Sequence, residues 1–414
     1  MDIKQMAKKR IAIGAVCVLM VATMSEVYSQ KGILGQDRGR NVITTGVPSM
    51  LIGPDSRVGA MGEAGVALDN DINAQHWNPS KYVFMDNLFG LGFSYSPWLA
   101  GLGLNDIYLA YLSGYAKVGK MNAVSFSLRY FSMGDMEFTN YQGDPIGRYS
   151  PREFAVDAAY SRKLIDNLSA AVSFRFIYSQ LSNYSSYGGD QSGIRPGMAG
   201  AADVSLFYKK DLRADKVESS KIAWGLCISN IGSKISYSKN STYRSFIPTN
   251  FRTGIAYTLG MDKYNKITFS FDLNKLLVPT PPLYKTDSSG FIMKDPDDQP
   301  ILAGGRKPGS AAEALITSWF DAPGGFAEEM EEFIQNIGIE YGYNDIFFIR
   351  TGFFNEAYSK GNRKYITFGV GVKYSMFSID ASYILPVKSR HPLENTLRFS
   401  LTFDFFNKKN QPSK

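Results

Sequence analysis

The chain has 414 residues, 44% of them hydrophobic and 14% aromatic, and a formal charge of +7. Its 25 tyrosines and 28 phenylalanines stand against 2 histidines and 2 cysteines, so it is rich in strand formers and poor in metal ligands and catalytic nucleophiles. The basic residues are dispersed, with no run interleaved with stacking aromatics, which excludes a nucleic-acid groove.

Residues 1–29 read as a secretory signal peptide. Lys8, Lys9 and Arg10 precede an apolar run from Ile11 to Met24, too short to span a bilayer comfortably. Val27 and Ser29 suit a cut before Gln30, and Val16 ahead of Cys17 argues against lipidation. Only Cys227 then remains, which excludes an internal disulfide and a cysteine-based metal site.

Residues 30–86 follow, and within them "SRVGAMGEAGVALDNDINAQHWNPS" is the densest cluster of small side chains. Its glycines are spaced G-x-x-G-x-x-G, neither a dinucleotide fingerprint nor a Walker loop. Asp69-x-Asp71-x-Asn73 begins like a calcium loop. It fails at Ala74, where the sharp turn needs glycine, and at Ser80, where the ion needs a bidentate glutamate. No metal, phosphate or cofactor site is expected. Small residues let backbone approach other structure closely, and the rest of the chain must supply that structure.

From residue 87 onward one pattern recurs. In "ENTLRFSLTFDFF" Leu397, Phe399, Leu401, Phe403 and Phe405 alternate with Arg398, Ser400, Thr402 and Asp404, the period of a strand with one apolar face. Such segments are expected at 87–95, 106–116, 121–131, 152–161, 168–179, 199–209, 220–230, 251–259, 265–273, 337–343, 346–353, 364–374, 376–384 and 394–405. Every second connection is short and the others are long. That asymmetry marks an outer-membrane antiparallel β-barrel, with short periplasmic turns and long outer loops. The fold class is therefore all-β, a barrel of about 14 strands over 87–405 with both chain ends on the periplasmic side and a polar tail at 406–414. A ring that wide is either an open channel or carries a plug. Residues 30–86 are expected to be that hatch, with Gly59, Gly62, Gly65, Trp77, Asn78 and Pro79 at its closest contacts.

The loops carry the remaining candidates. Trp98 and Leu99 in the first outer loop, and Leu283, Tyr284, Phe291 and Ile292 in the longest one (274–336), are apolar groups where water is expected. In "FAEEMEEFIQNIG" Phe326, Met330, Phe333, Ile334 and Ile337 fall at helical spacing, and Glu328, Glu329, Glu331 and Glu332 form the other face. Such a helix either packs on the rim or docks a partner. Between its helix and the barrel, "YKTDSSGFIMKDPDDQPILAGGRKPGS" reads as polar and mobile. Arg129, Arg175, Asp157, Asp203, Asp272, Lys373, Asp380, Arg398 and Asp404 occupy polar strand faces. They read either as a permeation path or as a paired network inside the lumen. His76 and His391 lack a serine in a nucleophile context, so no catalytic residue is expected.

The stretch "GEAGVALDNDINAQHWNPS" resembles the N-terminal segment of the FadL-like transporter superfamily. The motifs "GLCISNIGSKISY", "FIPTNFRTGIAY", "DLNKLLVPTPP", "FDAPGGFAEEMEEF" and "PLENTLRFSLTFDF" resemble the PorV family of the type IX secretion system. The resemblance implies a non-enzymatic protein of the outer membrane, among its lipid and lipopolysaccharide. Such a protein would take cargo bearing a C-terminal secretion domain from the translocon barrel to the cell-surface sortase and attachment complex. The alternative on the same scaffold is a FadL-type transporter of hydrophobic small molecules, since fold alone does not choose.

Overall fold

The computed structural model describes residues 41–405 apart from 70, 141, 182–194, 213–218, 239–243, 290 and 389–390. The expected signal at 1–29, the start of the hatch and the tail at 406–414 lie outside the described residues. Fourteen antiparallel strands close into one ring, each beside its neighbours in sequence. They are β1 (Phe89–Pro97), β2 (Ile107–Val118), β3 (Asn122–Met133), β4 (Arg152–Ile165), β5 (Leu168–Gln180), β6 (Gly197–Leu212), β7 (Ser219–Gly232), β8 (Asn250–Gly260), β9 (Asn265–Leu276), β10 (Ile334–Tyr343), β11 (Phe347–Asn355), β12 (Lys364–Tyr374), β13 (Phe377–Pro386) and β14 (Leu397–Phe405). All strand ends lie within four residues of the expected ones. β1 pairs with β14 from Phe89↔Phe405 to Tyr95↔Phe399, and the first two rings stack 4.1 Å apart across the seam.

Alternation explains the ring. On β5, Val172, Phe174 and Phe176 stand open on the outside while Ser169 and Ser173 are buried inside. A closed sheet leaves no unpaired backbone edge, so its apolar face can meet hydrocarbon at no hydrogen-bonding cost. The long loops gather at one end and the short turns at the other. One outer loop extends as a hairpin, Met136–Thr139 against Pro145–Tyr149.

Both ends of the strand ring sit at the short-turn end, as the even count requires. The described chain nevertheless begins at the opposite end. The backbone N–H of Asn41 donates to Ser359 O (2.9 Å) and its side chain to Pro281 O (3.1 Å), both in long loops. Residues 45–86 then run down the lumen to the short turns, where Lys117 Nζ donates to Met85 O at 2.6 Å. On the way they form two short helices, α1 (Ser56–Ala60) and α2 (Ala74–Trp77), and two 3-10 helices, Pro48–Leu51 and Pro79–Phe84. Asp55 caps α1 by accepting from Val58 N (2.9 Å).

Candidate functional site: a filled lumen and an outer strap

The inner segment touches strands all round the ring. The Ser113 hydroxyl donates to Asn73 (2.9 Å), Ser125 to Gln75 (2.6 Å), Ser161 to Pro79 O (2.8 Å) and Ser169 to Ser80 O (2.6 Å). On the far side, Asn336 Nδ2 donates to Glu63 O (3.0 Å), Thr367 to Ala60 O (2.8 Å), and the N–H of Ser56 to Ser400 Oγ (2.8 Å). The small hydroxyl residues on the polar strand faces thus serve both the backbone and the Asn73 and Gln75 side chains of an irregular segment, whose buried polar groups all need partners.

The expected hatch residues lie at these contacts. Gly62 has φ +65, and a Cβ there would fall 2.6 Å from Phe353 N and 2.7 Å from Ile337 O. At Gly59 it would meet the Arg398 guanidinium at 2.4 Å, and at Gly65 the Val58 side chain at 2.4 Å. Trp77 is buried and donates from Nε1 to Asp55 at 2.6 Å. Asn78 donates to Val66 O (3.1 Å) and Leu206 O (2.9 Å), and Pro79 opens the 3-10 helix.

The charged strand residues form networks. Arg175 bridges Asp157 (2.5 Å) and Asp203 (2.9 Å). Arg350 bridges Glu340 and Asp380, each at 2.6 Å, and Glu340 also holds Arg57 of α1 at 3.1 Å. Arg398 reaches Glu63 (2.8 Å), and Arg129 donates to Ser49 O and Ile52 O. Arg57, Glu63, Lys81 and Glu340 had no place in the sequence reading. Their signal was that each stands in a crowded segment or on a polar strand face. A cavity of about 650 Å³ opens at the short-turn end, lined by groups such as Asp69, Lys221, Lys266, Lys373 and Asp404. His76 Nδ1 lies 2.9 Å from Arg129 Nη2, and His391 Nδ1 accepts from Leu393 N.

At the long-loop end the candidates divide. Trp98 and Leu99 pack against Phe354, Tyr365, Ile384 and Leu393 in the barrel mouth. Leu283 and Tyr284 are half-buried at the base of a paired knob, where Leu283–Tyr284 meets Leu302–Gly304 and further bridges join Thr286 to Ile292 and Lys294 to Pro300. The stretch read from sequence as polar and mobile is thus hydrogen-bonded, through tight turns in which Asp287 and Asp295 accept two backbone N–H groups each. Phe291 at one such turn is 73% exposed.

The helix also differs from its reading. Here α3 (Ala311–Thr317) and α4 (Phe326–Glu331) form a strap, and α4 stops at Glu331. Ile334 and Ile337 belong to β10, whose pairing with β9 runs through Asn274↔Ile334 and Phe271↔Ile337. Tertiary pairing of β-branched residues overrides the helical spacing. Three of the four glutamates, Glu328, Glu329 and Glu332, turn inward, while Glu331 stays exposed. Lys275 Nζ meets Glu329 at 2.9 Å and also binds Glu332, while Lys360 holds Glu328 (2.5 Å) and Glu332 (3.0 Å). Lys360 draws the Glu328 carboxyl below its usual range, against the desolvation that opposes it. Burial, with Glu329 and Glu332 nearby, pushes Asp321 up to about 6. Phe326 is 77% exposed, Met330 lies open beside it, and Phe333 is half-buried under Trp319.

A family model for the type IX secretion system protein PorV matches residues 35–283, more than half of the chain. The chain belongs to the PorV family. It is an outer-membrane component of the type IX secretion system. No curated protein matches it. Among solved structures it is similar to the toluene transporter TbuX of Ralstonia pickettii (TM-score 0.44, 13% identity, 86% of this chain and 98% of that one). It is likewise similar to the toluene transporter TodX of Pseudomonas putida (0.44, 13%, 85% and 97%) and a Pseudomonas aeruginosa FadL homologue (0.38, 11%, 86% and 99%). Values this low carry no statement about what a PorV-family chain binds.

Proposed function

We propose that this protein is a non-enzymatic binding component. It takes secreted cargo with a C-terminal secretion domain at the translocon barrel and passes it to the cell-surface sortase and attachment complex. The observation that supports this reading is the filled lumen: residues 45–86 meet strands all round the ring, and Arg57 and Glu63 of that segment pair with Glu340 and Arg398 of the wall. Protein-binding chemistry then falls to the outer loops, where a rigid scaffold presents open apolar groups such as Phe291. The transporter reading would need an apolar route from the loops inward. Among the described residues a lumenal cavity of about 650 Å³ lies at the short-turn end, and Asp69, Lys221, Lys266, Lys373 and Asp404 line it together with Leu68, Ile72 and Phe348.

The test is deletion of the gene. Cargo should accumulate in the periplasm with its C-terminal domain uncut, while uptake of long-chain fatty acids stays normal. A deletion strain that processes its cargo normally but fails to grow on long-chain fatty acids would decide for the transporter.

A further inference from the structure

The strap lies on the outer face of the barrel wall. On β9 the even residues point inward: Ser270 donates to Ala64 O and Asp272 accepts from Val66 N. The odd ones point outward, as the 46% exposure of Phe269 shows. Lys275 is odd, yet only 1% of its side chain is exposed, because Glu329, Glu332, Trp319 and Phe333 cover it. Trp319 also meets Phe251 edge to face at 5.2 Å. On β8 Arg252 points inward to His76 O while Ile255 stands 53% exposed, so Phe251 is on the outer face too.

The strap has its polarity reversed relative to a helix on a water-soluble protein. The carboxylates of Glu328, Glu329 and Glu332 turn toward the wall and are matched by Lys275 and Lys360. The opposite side presents Ile316 (71% exposed), Phe320 (86%), Phe326 (77%) and Met330. This surface continues the wall's outward apolar band through Trp319 and Phe251. Its height also fits. A tilted strand crosses the hydrocarbon in about 9–11 residues, and Lys275 is the last residue but one of the 12-residue β9.

We propose that residues 311–333 are an interfacial wedge whose Ile316, Phe320, Phe326 and Met330 sit among the acyl chains of the outer leaflet. Apolar side chains at that boundary gain what burial in a protein core would give. Pairing Glu328, Glu329 and Glu332 inward removes three of the strap's five glutamates from the side that meets lipid, leaving Glu313 beside Arg306 and Glu331 at the exposed edge. The strap thereby fastens one side of the loop layer to the membrane.

The test uses single cysteines at Phe320→Cys and Phe326→Cys in a background lacking Cys17 and Cys227, each carrying an environment-sensitive fluorophore. The protein is folded into phosphatidylcholine vesicles with plain or brominated chains and checked for barrel integrity by heat-shift gel. Ile255→Cys serves as the lipid reference and Asp298→Cys, on the knob, as the water reference. The wedge predicts that brominated chains quench both strap sites as much as Ile255→Cys, and that aqueous iodide spares them. Iodide quenching at the level of Asp298→Cys, or bromine quenching at only one strap site, overturns it and leaves the apolar face for a protein partner.

Discussion

The inner segment and the outer strap are irregular pieces packed on opposite faces of one wall, and they are built by opposite rules. The inner segment is small-residue backbone laid against polar strand faces, so its fit is set by backbone contacts at Gly62 and hydroxyl bonds from Ser113, Ser161 and Thr367. The strap is held by charge, with two lysines set against three buried or half-buried glutamates, and its Ile316, Phe320, Phe326 and Met330 turn away from the protein. The wall decides which: its inside is polar and crowded, its outside apolar and roomy.

The inner segment should be the less forgiving. Gly62→Leu combines a left-handed backbone with a Cβ clash against the β10 and β11 backbone, neither of which can move aside. The cost should be about 3 kcal/mol or more, read as a large fall in the temperature at which the barrel unfolds on a heat-shift gel. Gly119→Leu in the turn after β2 shares the left-handed conformation (φ +73) but meets nothing within 4 Å. It should lose only about 1 kcal/mol. Equal losses at the two sites would mean that contact with the wall does not set the fit.

Lys275→Met attacks the strap's rule. It leaves Glu329 and Glu332 buried with half their cations gone, a break that costs about 3–5 kcal/mol. Since only the strap needs that pairing, the loss should appear as protease cutting within 306–333 on intact vesicles, with the heat shift of the barrel unchanged. Adding Glu329→Gln and Glu332→Gln should restore much of the resistance. A fall in barrel stability instead would show the strap to be part of the fold rather than a cover.

Titration sharpens the contrast further. Asp321 has its pKa raised from 3.8 to about 6 in the folded strap, so its ionised form disfavours the closed strap. Protease resistance should therefore rise as pH falls from about 7 to 5. Glu328 is shifted the other way by Lys360. Its contribution is present above the ordinary glutamate range and disappears as pH drops through its lowered value, so resistance should fall again in stronger acid. Asp321→Asn should remove the first limb and keep the second. A profile unaffected by Asp321→Asn would assign the rise to another group.

The barrel was legible because a lipid-facing wall imposes strict alternation, as in Leu397 to Phe405, and short turns repeat at every second connection. The loop layer was not. Knob residues 283–304 are held by Asx turns at Asp287 and Asp295 that leave no periodicity to read. In "FAEEMEEFIQNIG" the helical spacing was real through Met330, but the direction of the face was misleading. Spacing says that residues share a side; it cannot say whether that side meets water, wall or lipid. The same limit hid Glu63, whose partner Arg398 lies 335 positions away in sequence and meets it only once the segment is inside the ring.

The smallest effect tests that point on neighbouring residues. The sequence places Glu329 and Glu331 on one acidic face, and a docking role would make them comparable. In the structure Glu329 accepts from Lys275 and from Ala322 N at 2.8 Å, whereas Glu331 is exposed and accepts from the Ser359 hydroxyl. Glu331→Gln keeps an acceptor for that hydroxyl and removes a solvated charge, so strap resistance should change by no more than about 0.5 kcal/mol. Glu329→Gln leaves Lys275 with Glu332 alone and should open the strap measurably more. If the exposed substitution proves the more disruptive, the acidic face works through something that meets it from outside, and the charge-inward account of the strap fails.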